Sequence, residues 1–316
     1  MILLVTNERD ITMDYVVLEL QRRGLKYYRL NTESLPQYRV EMGIHSRDDW
    51  KIYDGENILS GGDVRAAYFR RPGKPEVKQD LEERGHLNYA ESEWASFLKS
   101  LYSRLDKMWL NSPANILLSE DKPRQLFLAK DIGFLIPETS ITNDINSFKS
   151  IAALRSVIGK PLRQALIEDK NEKIIFTTSL PALDSVDEID LSFAPIIVQH
   201  EIKKAYDIRI IVVGSKVFPV AIHSQDNTVT VVDWRRGEVP DLLHEPIILP
   251  VSIEQKCKDI VRKLGLKFGA IDMVKDLDDR YWFLEINPNG QWAWIENRTG
   301  LPIASAIVDE LVGELS

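Results

Sequence analysis

Two strand-like segments near the C-terminus decide the fold: Phe268-Gly-Ala-Ile-Asp272-Met-Val-Lys275 and Tyr281-Trp-Phe-Leu-Glu285-Ile-Asn287. The turn-forming pair Asp278-Asp279 lies between them, which predicts a β-hairpin. A two-residue turn at this pair places Asp272 opposite Glu285. Because side chains alternate along a strand, Asn287 then lies on the same face as Glu285.

This arrangement gathers two carboxylates and an amide on one face of the hairpin. Oxygen ligands of this kind bind hard cations and suit Mg²⁺ that bridges nucleotide phosphates. The alternative is an acidic hairpin that faces water. Apolar residues in the same segments, such as Ile271 and Ile286, favour a core hairpin, in which unpaired acids would be costly. Asp272, Glu285 and Asn287 are therefore the candidate metal ligands.

Chain length, composition and net charge limit the class of protein. A chain of 316 residues with 44% hydrophobic residues is globular and long enough for two or three compact units. Its net charge of −8 argues against general nucleic-acid binding. Cys257 is the only cysteine, which excludes an intrachain disulfide and a cysteine metal cluster. With no apolar stretch of membrane-spanning length and no signal sequence at the start, we expect a cytoplasmic protein without a membrane partner.

The order of segments predicts an α/β (α+β) chain in three parts. Residues 1–112 open as a β-α-β unit, which lacks the GxGxxG fingerprint of dinucleotide-binding domains. Residues 113–195 form a small α+β domain, and residues 196–316 consist mainly of strands. The predicted strands are 2–6, 26–30, 38–44, 64–69, 196–201, 208–213, 217–222 and 229–232, and the predicted helices are 12–24, 89–105, 121–132, 145–156, 252–264 and 302–311.

A magnesium–nucleotide site needs positive charge next to the phosphates. Three residues in the middle of the chain are candidates: Lys122, Lys160 and Arg209. Lys160 ends a short apolar strand, and Arg209 lies two residues after Asp207, so that the polar pair shares one face of a strand. A single lysine or arginine is usually a solvated surface charge. The prediction therefore depends on the ordered set.

A polar corner, Gln199-His200-Glu201-Ile202, follows the apolar residues 196–198. Backbone groups that leave such a strand can bind an adenine edge, and Glu201 can accept ribose hydroxyls. A strand end with ordinary turn polarity explains the same residues equally well.

These motifs together resemble a known family. Taken in order, Lys122, Lys160, the corner at 199–202, Asp207-x-Arg209, Asp272 and Glu285-x-Asn287 resemble the ATP-grasp ligases. Three further motifs are similar to the branch that macrocyclises ribosomally made peptides, the graspetide or microviridin-type synthetases: Tyr68-Phe-Arg70-Arg71-Pro72, Val232-Asp-Trp234-Arg235 and Glu285-Ile-Asn-Pro-Asn-Gly-Gln-Trp292-Ala-Trp294-Ile-Glu296. One departure is segment 161–169, which has no glycine where many ATP-grasp enzymes close a glycine-rich loop over the phosphates. Arg163 is an alternative covering residue.

The resemblance implies an ATP-grasp fold with three subdomains: an N-terminal α/β pre-ATP-grasp domain that helps to accept the peptide, a small central α+β domain and a C-terminal antiparallel-sheet domain. ATP is expected to bind between the last two subdomains, together with two Mg²⁺ ions. The protein is expected to form a homodimer. The residues expected to contact ATP are Lys122, Lys160, Gln199, His200, Glu201, Ile202, Asp207 and Arg209.

The resemblance also implies a reaction. In such ligases a substrate carboxylate attacks the γ-phosphate of ATP, and an amine or hydroxyl then displaces phosphate from the acyl phosphate. Lys160 and Arg209 are the expected catalytic residues, Arg209 because its planar guanidinium matches acyl-phosphate oxygens in a bidentate way. Glu285 is the expected bridging metal ligand. No general base follows from the sequence, and Asp233 and His223 are only candidates.

The implied partner is a precursor peptide with a leader and an acidic core. The arginines expected to bind its acidic groups are Arg70, Arg71, Arg235 and Arg236. Arg70 and Arg71 equally suit an exposed pair at a strand end, and Trp292 and Trp294 either line a pocket or pack in the core.

Three functions remain open at this point. The first is an ATP-dependent macrocyclase that forms side-chain esters or amides in a precursor peptide. The second is a ligase that adds a free amino acid, such as glutamate, to a protein or small carboxylate. The third is a non-catalytic ATP-binding scaffold, against which the complete set of two acids and an amide argues.

Overall fold

The computed structural model describes residues 1–77, 84–153, 155–163, 166–167, 173–174, 177–180, 191–226, 230, 232–234 and 242–313. The chain forms two compact units. The first comprises Met1–Ile116, Gly265–Phe268 and Pro288–Ser316, and the second Leu117–Leu264 and Gly269–Asn287. The three-part division at residues 112 and 195 stays a prediction.

Both units contain helices and strands. The helices are α1 (Ile11–Arg22), α2 (Arg84–Arg104), α3 (Pro113–Ser119), α4 (Lys122–Ile132), α5 (Ile145–Ala152), α6 (Val251–Lys263), α7 (Ala293–Thr299) and α8 (Ile303–Gly313). The strands are β1 (Ile2–Thr6), β2 (Tyr27–Asn31), β3 (Arg39–Met42), β4 (Trp50–Asp54), β5 (Asn57–Ser60), β6 (Ala66–Phe69), β7 (Thr139–Thr142), β8 (Val157–Lys160), β9 (Leu166–Ile167), β10 (Lys173–Ile174), β11 (Thr178–Ser179), β12 (Ile196–His200), β13 (Lys204–Val213), β14 (Lys216–Ile222), β15 (His244–Pro246), β16 (Phe268–Asp276) and β17 (Tyr281–Asn287).

The first unit contains a parallel sheet in the order β2-β1-β6. The predicted β-α-β opening is confirmed, and the chain leaves α1 through Gly24 at φ +65°, a left-handed conformation that favours glycine. All five residues of β1 are buried, which explains why this strand is uniformly apolar instead of alternating. A separate antiparallel meander of β3, β4 and β5 packs into the same core through Trp50, Ile52 and Leu59.

The second unit contains two larger sheets. One has the order β11-β8-β12-β7, and the other has the order β15-β14-β13-β16-β17. The pairs β12–β7, β12–β8, β13–β14 and β16–β17 are antiparallel. The strand predicted at 229–232 is wrong where it can be judged, because Thr230 lies in a turn and Val232 in a bend; residues 229 and 231 lie outside the described residues.

The hairpin β16–β17 has the predicted pairing at the candidate site but a different turn. Asp272 pairs with Glu285, as predicted. The N–H of Asp276 donates to the carbonyl of Arg280, so residues 277–279 form a three-residue loop with Asp279 at φ +63°. A bulge between the pairs Met273–Phe283 and Asp272–Glu285 then adds one residue, Leu284, to β17. The longer turn shifts the register by one residue and the bulge shifts it back, which restores the predicted register at Asp272.

The side chain of Asp276 organises this turn. Its carboxylate accepts hydrogen bonds from the N–H groups of Asp278 and Arg280, both at 2.9 Å, from Arg280 Nε at 2.7 Å and from Trp282 Nε1 at 2.8 Å. Burial alone would raise the pKa of Asp276, but these hydrogen bonds prevail and lower it to about 2.

We expect Asp276→Asn to lower the free energy of unfolding by about 2 kcal/mol, because an amide replaces a charged acceptor of four hydrogen bonds. The folded-state pKa is lowered, so the ionised form contributes its full stability above the ordinary value of 3.8 and loses it as pH falls toward about 2. The difference between the two proteins should therefore shrink between these pH values. Urea denaturation at several pH values measures it. Asp279→Asn is the control, since this exposed residue tolerates asparagine at positive φ; equal effects of both variants would contradict the assignment.

Within the described residues, no helix combines the length and the apolar composition needed to cross a membrane.

Candidate active site

A cleft lies in the second unit and is lined by residues of both of its larger sheets. Its walls include Ile158 from β8 and Val274 and Leu284 from the hairpin, the last being the residue added by the bulge. The remaining lining residues are Pro137, Gln199, His200, Glu201, Ile202, Lys204 and Val232. Apolar walls beside a polar corner suit a planar ring with hydrogen-bonding edges.

The predicted corner thus lies in this cleft, and its side chains have different partners. Gln199 Oε1 accepts a hydrogen bond from Lys160 Nζ at 2.8 Å, which joins two of the predicted site residues. His200 is buried, and its Nε2 donates to the carbonyl of Ile151 at 3.1 Å. The N–H of Glu201 donates to the carbonyl of Ser156 at 2.9 Å. The imidazole of His200 is therefore engaged with the chain itself.

Four predicted residues form an acid–cation cluster, consisting of Lys122, Arg209, Asp272 and Glu285. Arg209 Nη1 lies 2.8 Å from each carboxylate oxygen of Asp272, and both side chains are largely buried. Lys122 Nζ lies 3.4 Å from Glu285 Oε2. The same ammonium donates to the carbonyl of Pro161 at 3.2 Å, next to Lys160 at the end of β8. Lys122 therefore links the acidic hairpin to the strand that carries Lys160.

Asp207 and Lys204 form a second buried ion pair. Lys204 Nζ lies 2.9 and 2.7 Å from the two carboxylate oxygens of Asp207, and Ser224 Oγ donates to the same carboxylate. Burial raises the pKa of Asp207, against the attraction of Lys204. The carboxylate of Asp207 holds Lys204, which lines the cleft and was missed by the sequence analysis. A direct contact between Asp207 and ATP stays a prediction.

The oxygen ligands predicted for a metal are Asp272, Glu285 and Asn287. Within the described ranges, there is no group of three or more His, Cys, Asp or Glu side chains that could hold a metal ion. The set therefore offers two carboxylates, at paired positions, and the amide of Asn287, whose partner across the ladder is Ala270. Arg209 and Lys122 neutralise the two facing acids. An all-oxygen set with cations beside it fits Mg²⁺ bound together with phosphates.

Arg70 is buried in the first unit, so the prediction that it binds the peptide or lies exposed at a strand end is wrong. Its side chain is 0% exposed, and its Nε lies 3.2 Å from Asp10 Oδ2. Its Nη1 donates to the carbonyls of Asn289 and Gly290 at 3.3 and 3.1 Å. Arg70 is neither an exposed strand-end residue nor available to an acidic peptide, because its guanidinium is enclosed by these partners.

The other residues predicted to contact the peptide or to cover the phosphates differ in their environment. Arg71 is exposed and has a φ of +46°, an uncommon conformation for a side chain other than glycine. Arg235 and Arg236 lie outside the described residues. Trp292 packs in the core against Tyr15, with ring centroids 6.1 Å apart. Arg163 is exposed, but residues 164–165 and 168–170 of the glycine-free segment also lie outside the described residues.

Asp233 and His223 stay candidates for the general base. Asp233 is buried. His223 Nε2 lies 3.5 Å from Glu245 Oε2, and its ring lies 5.8 Å from that of Tyr206. Neither contact assigns a proton transfer.

Comparison with known proteins supports the fold and the resemblance. Residues 1–117 match the MvdD pre-ATP grasp domain family. The structure superposes on the macrocyclase MdnC of Microcystis aeruginosa MRC, solved with the precursor peptide MdnA, with a TM-score of 0.85 and 29% identity over 99% of both chains. For a RiPP-associated ATP-grasp ligase of Chryseobacterium gregarium, solved with ADP and a leader and core peptide, the TM-score is 0.89 and the identity 27%, over 99% of this chain and 96% of that chain.

The sequence also matches one curated relative over part of its length. The probable alpha-L-glutamate ligase of Shewanella halifaxensis (strain HAW-EB4) is 25% identical over 218 residues, or 68% of this chain. The match spans only 46% of the length of that relative. The predicted ATP-grasp fold is confirmed by these comparisons. The chain has the ATP-grasp fold, its N-terminal part matches the MvdD pre-ATP grasp domain family, and its structural neighbours include RiPP macrocyclases.

Proposed function

We propose that the protein is an ATP-dependent macrocyclase that forms side-chain ester or amide crosslinks in a ribosomally made precursor peptide. The acid–cation cluster carries this proposal, because it places two cations, from α4 and β13, against two carboxylates of the hairpin that also lines the cleft. The similarity to MdnC and to the Chryseobacterium ligase supports the peptide as the substrate class.

The reaction has two steps. A carboxylate oxygen of the peptide attacks the γ-phosphorus of ATP, the bond from that phosphorus to the β,γ-bridging oxygen breaks, and ADP leaves. A hydroxyl or amine of the same peptide then attacks the acyl carbon, and inorganic phosphate and a proton leave. Both steps bring negative groups together, so the protein's task is largely electrostatic.

The cluster supplies that electrostatic environment. Asp272, Glu285 and Asn287 would hold Mg²⁺, which when bound neutralises phosphate charge. With a metal held by these acids, Lys122 and Arg209 would be left to neutralise anionic oxygens of ATP and the acyl phosphate. Lys160 adds a third positive charge beside the corner at 199–202, where adenine and ribose would bind. Two ions remain the expected number.

The peptide is proposed to bind through Arg71, Arg235 and Arg236, which supply guanidinium groups for its acidic core. Arg71 keeps an exposed charged side chain at a positive φ, where glycine would be less strained. Such retained strain is typical of functional positions. A homodimer and a cytoplasmic location remain predictions.

The test uses the purified full-length chain with ATP, Mg²⁺ and a synthetic precursor that combines a leader with a core rich in Glu, Asp, Thr, Ser and Lys. We expect the peptide to lose the mass of one water molecule for each crosslink, with one ATP converted to ADP each time. Arg71→Gly should lower peptide processing while the fold is kept or slightly stabilised, because glycine relieves the positive φ. Unchanged processing by this variant would remove Arg71 from the peptide site.

The glutamate ligase relative favours a second candidate, the addition of a free amino acid to a protein or small carboxylate. That activity would appear as a gain of mass that requires free glutamate. If ATP bound tightly but no candidate peptide or amino acid stimulated ADP release, the scaffold function would replace both.

A further inference from the structure

The outer edge of β17 is covered in an unusual way. β17 is the last strand in its sheet, so its outer N–H and C=O groups need partners other than a strand. Near the turn, the N–H of Phe283 donates to the carbonyl of Leu135 at 2.9 Å. At the other end, the side-chain amide of Gln125 takes the place of a strand: its Oε1 accepts from Ile286 N–H at 2.9 Å, and its Nε2 donates to Ile286 C=O at 2.8 Å.

Gln125 is well suited to hold this edge firmly. It is 2% exposed, and its second N–H donates to the carbonyl of Ser119 at 2.6 Å, so both donors of its amide are used. It lies on α4, whose first residue Lys122 contacts Glu285. One face of this helix turn therefore contacts two consecutive residues of β17.

Ile286, the residue that Gln125 binds, lies between two candidate metal ligands. Ile286 separates Glu285 from Asn287, and the bulge at Leu284 interrupts the ladder immediately before Glu285. Beyond the bulge, β16 pairs with one edge of this short segment and Gln125 binds the other. Because both groups of Ile286 are fixed, the directions of the flanking side chains of Glu285 and Asn287 are fixed as well.

We propose that Gln125 is a positioning residue that sets the metal affinity of the site by fixing the backbone between Glu285 and Asn287. This inference rests on the proposed function, in which these residues bind the metal. Groups that orient metal ligands in this indirect way typically change affinity by about 10-fold to 100-fold when they are lost.

The experiment compares Gln125→Met and Gln125→Glu with the wild-type protein. Methionine has a similar length but forms none of the three hydrogen bonds. Glutamate keeps an acceptor for Ile286 N–H but loses both donors and opposes two carbonyl oxygens. Mn²⁺ serves as the probe, and its binding to the full chain with saturating ADP is followed by electron paramagnetic resonance. We expect Mn²⁺ to bind about 10-fold more weakly or worse in both variants.

Leu126→Ala provides the matched control, because this buried neighbour on α4 contributes packing to the helix. It should lower the melting temperature without changing Mn²⁺ affinity. The proposal is overturned if the Gln125 variants bind Mn²⁺ as the wild type does, or if Leu126→Ala weakens binding equally. A wild-type protein that binds no Mn²⁺ with ADP would instead overturn the proposed function, and this inference with it.

Discussion

Replacing Glu285 with glutamine is expected to reduce ADP formation more than a hundredfold while the fold is kept. Glutamine preserves the length and shape of the side chain but removes the charge that faces Asp272 across the hairpin. Loss of a group that stabilises developing phosphate charge costs roughly 3 kcal/mol or more in the transition state. Turnover of ATP with the precursor peptide measures the effect.

The fold should tolerate this substitution. Glu285 and Lys122 are each about one-fifth exposed and 3.4 Å apart, so their pair contributes no more than about 1 kcal/mol to stability. The control is Asp279→Asn, which removes a carboxylate from the turn of the same hairpin. That variant should keep its activity. If Glu285→Gln turned over near the wild-type rate at saturating Mg²⁺, the hairpin would not belong to the active site.

The hairpin also shows how far the sequence predicts the site. The predicted pairing of Asp272 with Glu285 is correct because the errors at the turn and at the bulge cancel. Strand composition and alternation missed the three-residue turn, because the positive φ of Asp279 is stabilised by hydrogen bonds to the buried carboxylate of Asp276. They also missed the bulge at Leu284, since a strand pattern carries no signal for one inserted residue.

Side-chain contacts that the strand and helix patterns do not predict set the other limits. Lys204 and Asp207 are three residues apart, and strand alternation places such residues on opposite faces, so their ion pair was not predicted. Gln125 did leave a signal: it is the polar member of the buried stripe Gln125, Leu126 and Ala129 on α4. A buried amide in an apolar stripe predicts a hydrogen-bonded partner, although it does not say which strand it binds.

Arg70 was expected either to bind an acidic peptide or to lie exposed at a strand end. Its actual partners could not be read from local sequence, since Gly290 lies 220 residues away. The two arginines of the motif Tyr68-Phe-Arg70-Arg71 therefore differ in burial. Arg70 is enclosed within the first unit, whereas Arg71 is exposed.

Arg70→Met is accordingly expected to lower the free energy of unfolding by about 3 to 5 kcal/mol, the range for breaking a buried ion pair by removing one partner. The substitution leaves Asp10, whose side chain is 4% exposed, with a buried charge that the hydrogen bond from Thr6 Oγ1 at 2.9 Å does not neutralise. It also leaves the carbonyls of Asn289 and Gly290 without the donors that Arg70 supplies. Urea denaturation measures the change.

A second substitution separates charge from packing. Adding Asp10→Asn to Arg70→Met removes the uncompensated charge, so the double variant should recover part of the lost stability, and the interaction energy of the cycle should be large. Arg71→Gly, at the adjacent exposed position, should leave stability unchanged or slightly raised. A loss below about 1 kcal/mol for Arg70→Met would place the pair in the range of surface ion pairs. Arg70 would then again be a candidate for the peptide, because its guanidinium would not be needed to hold the first unit together.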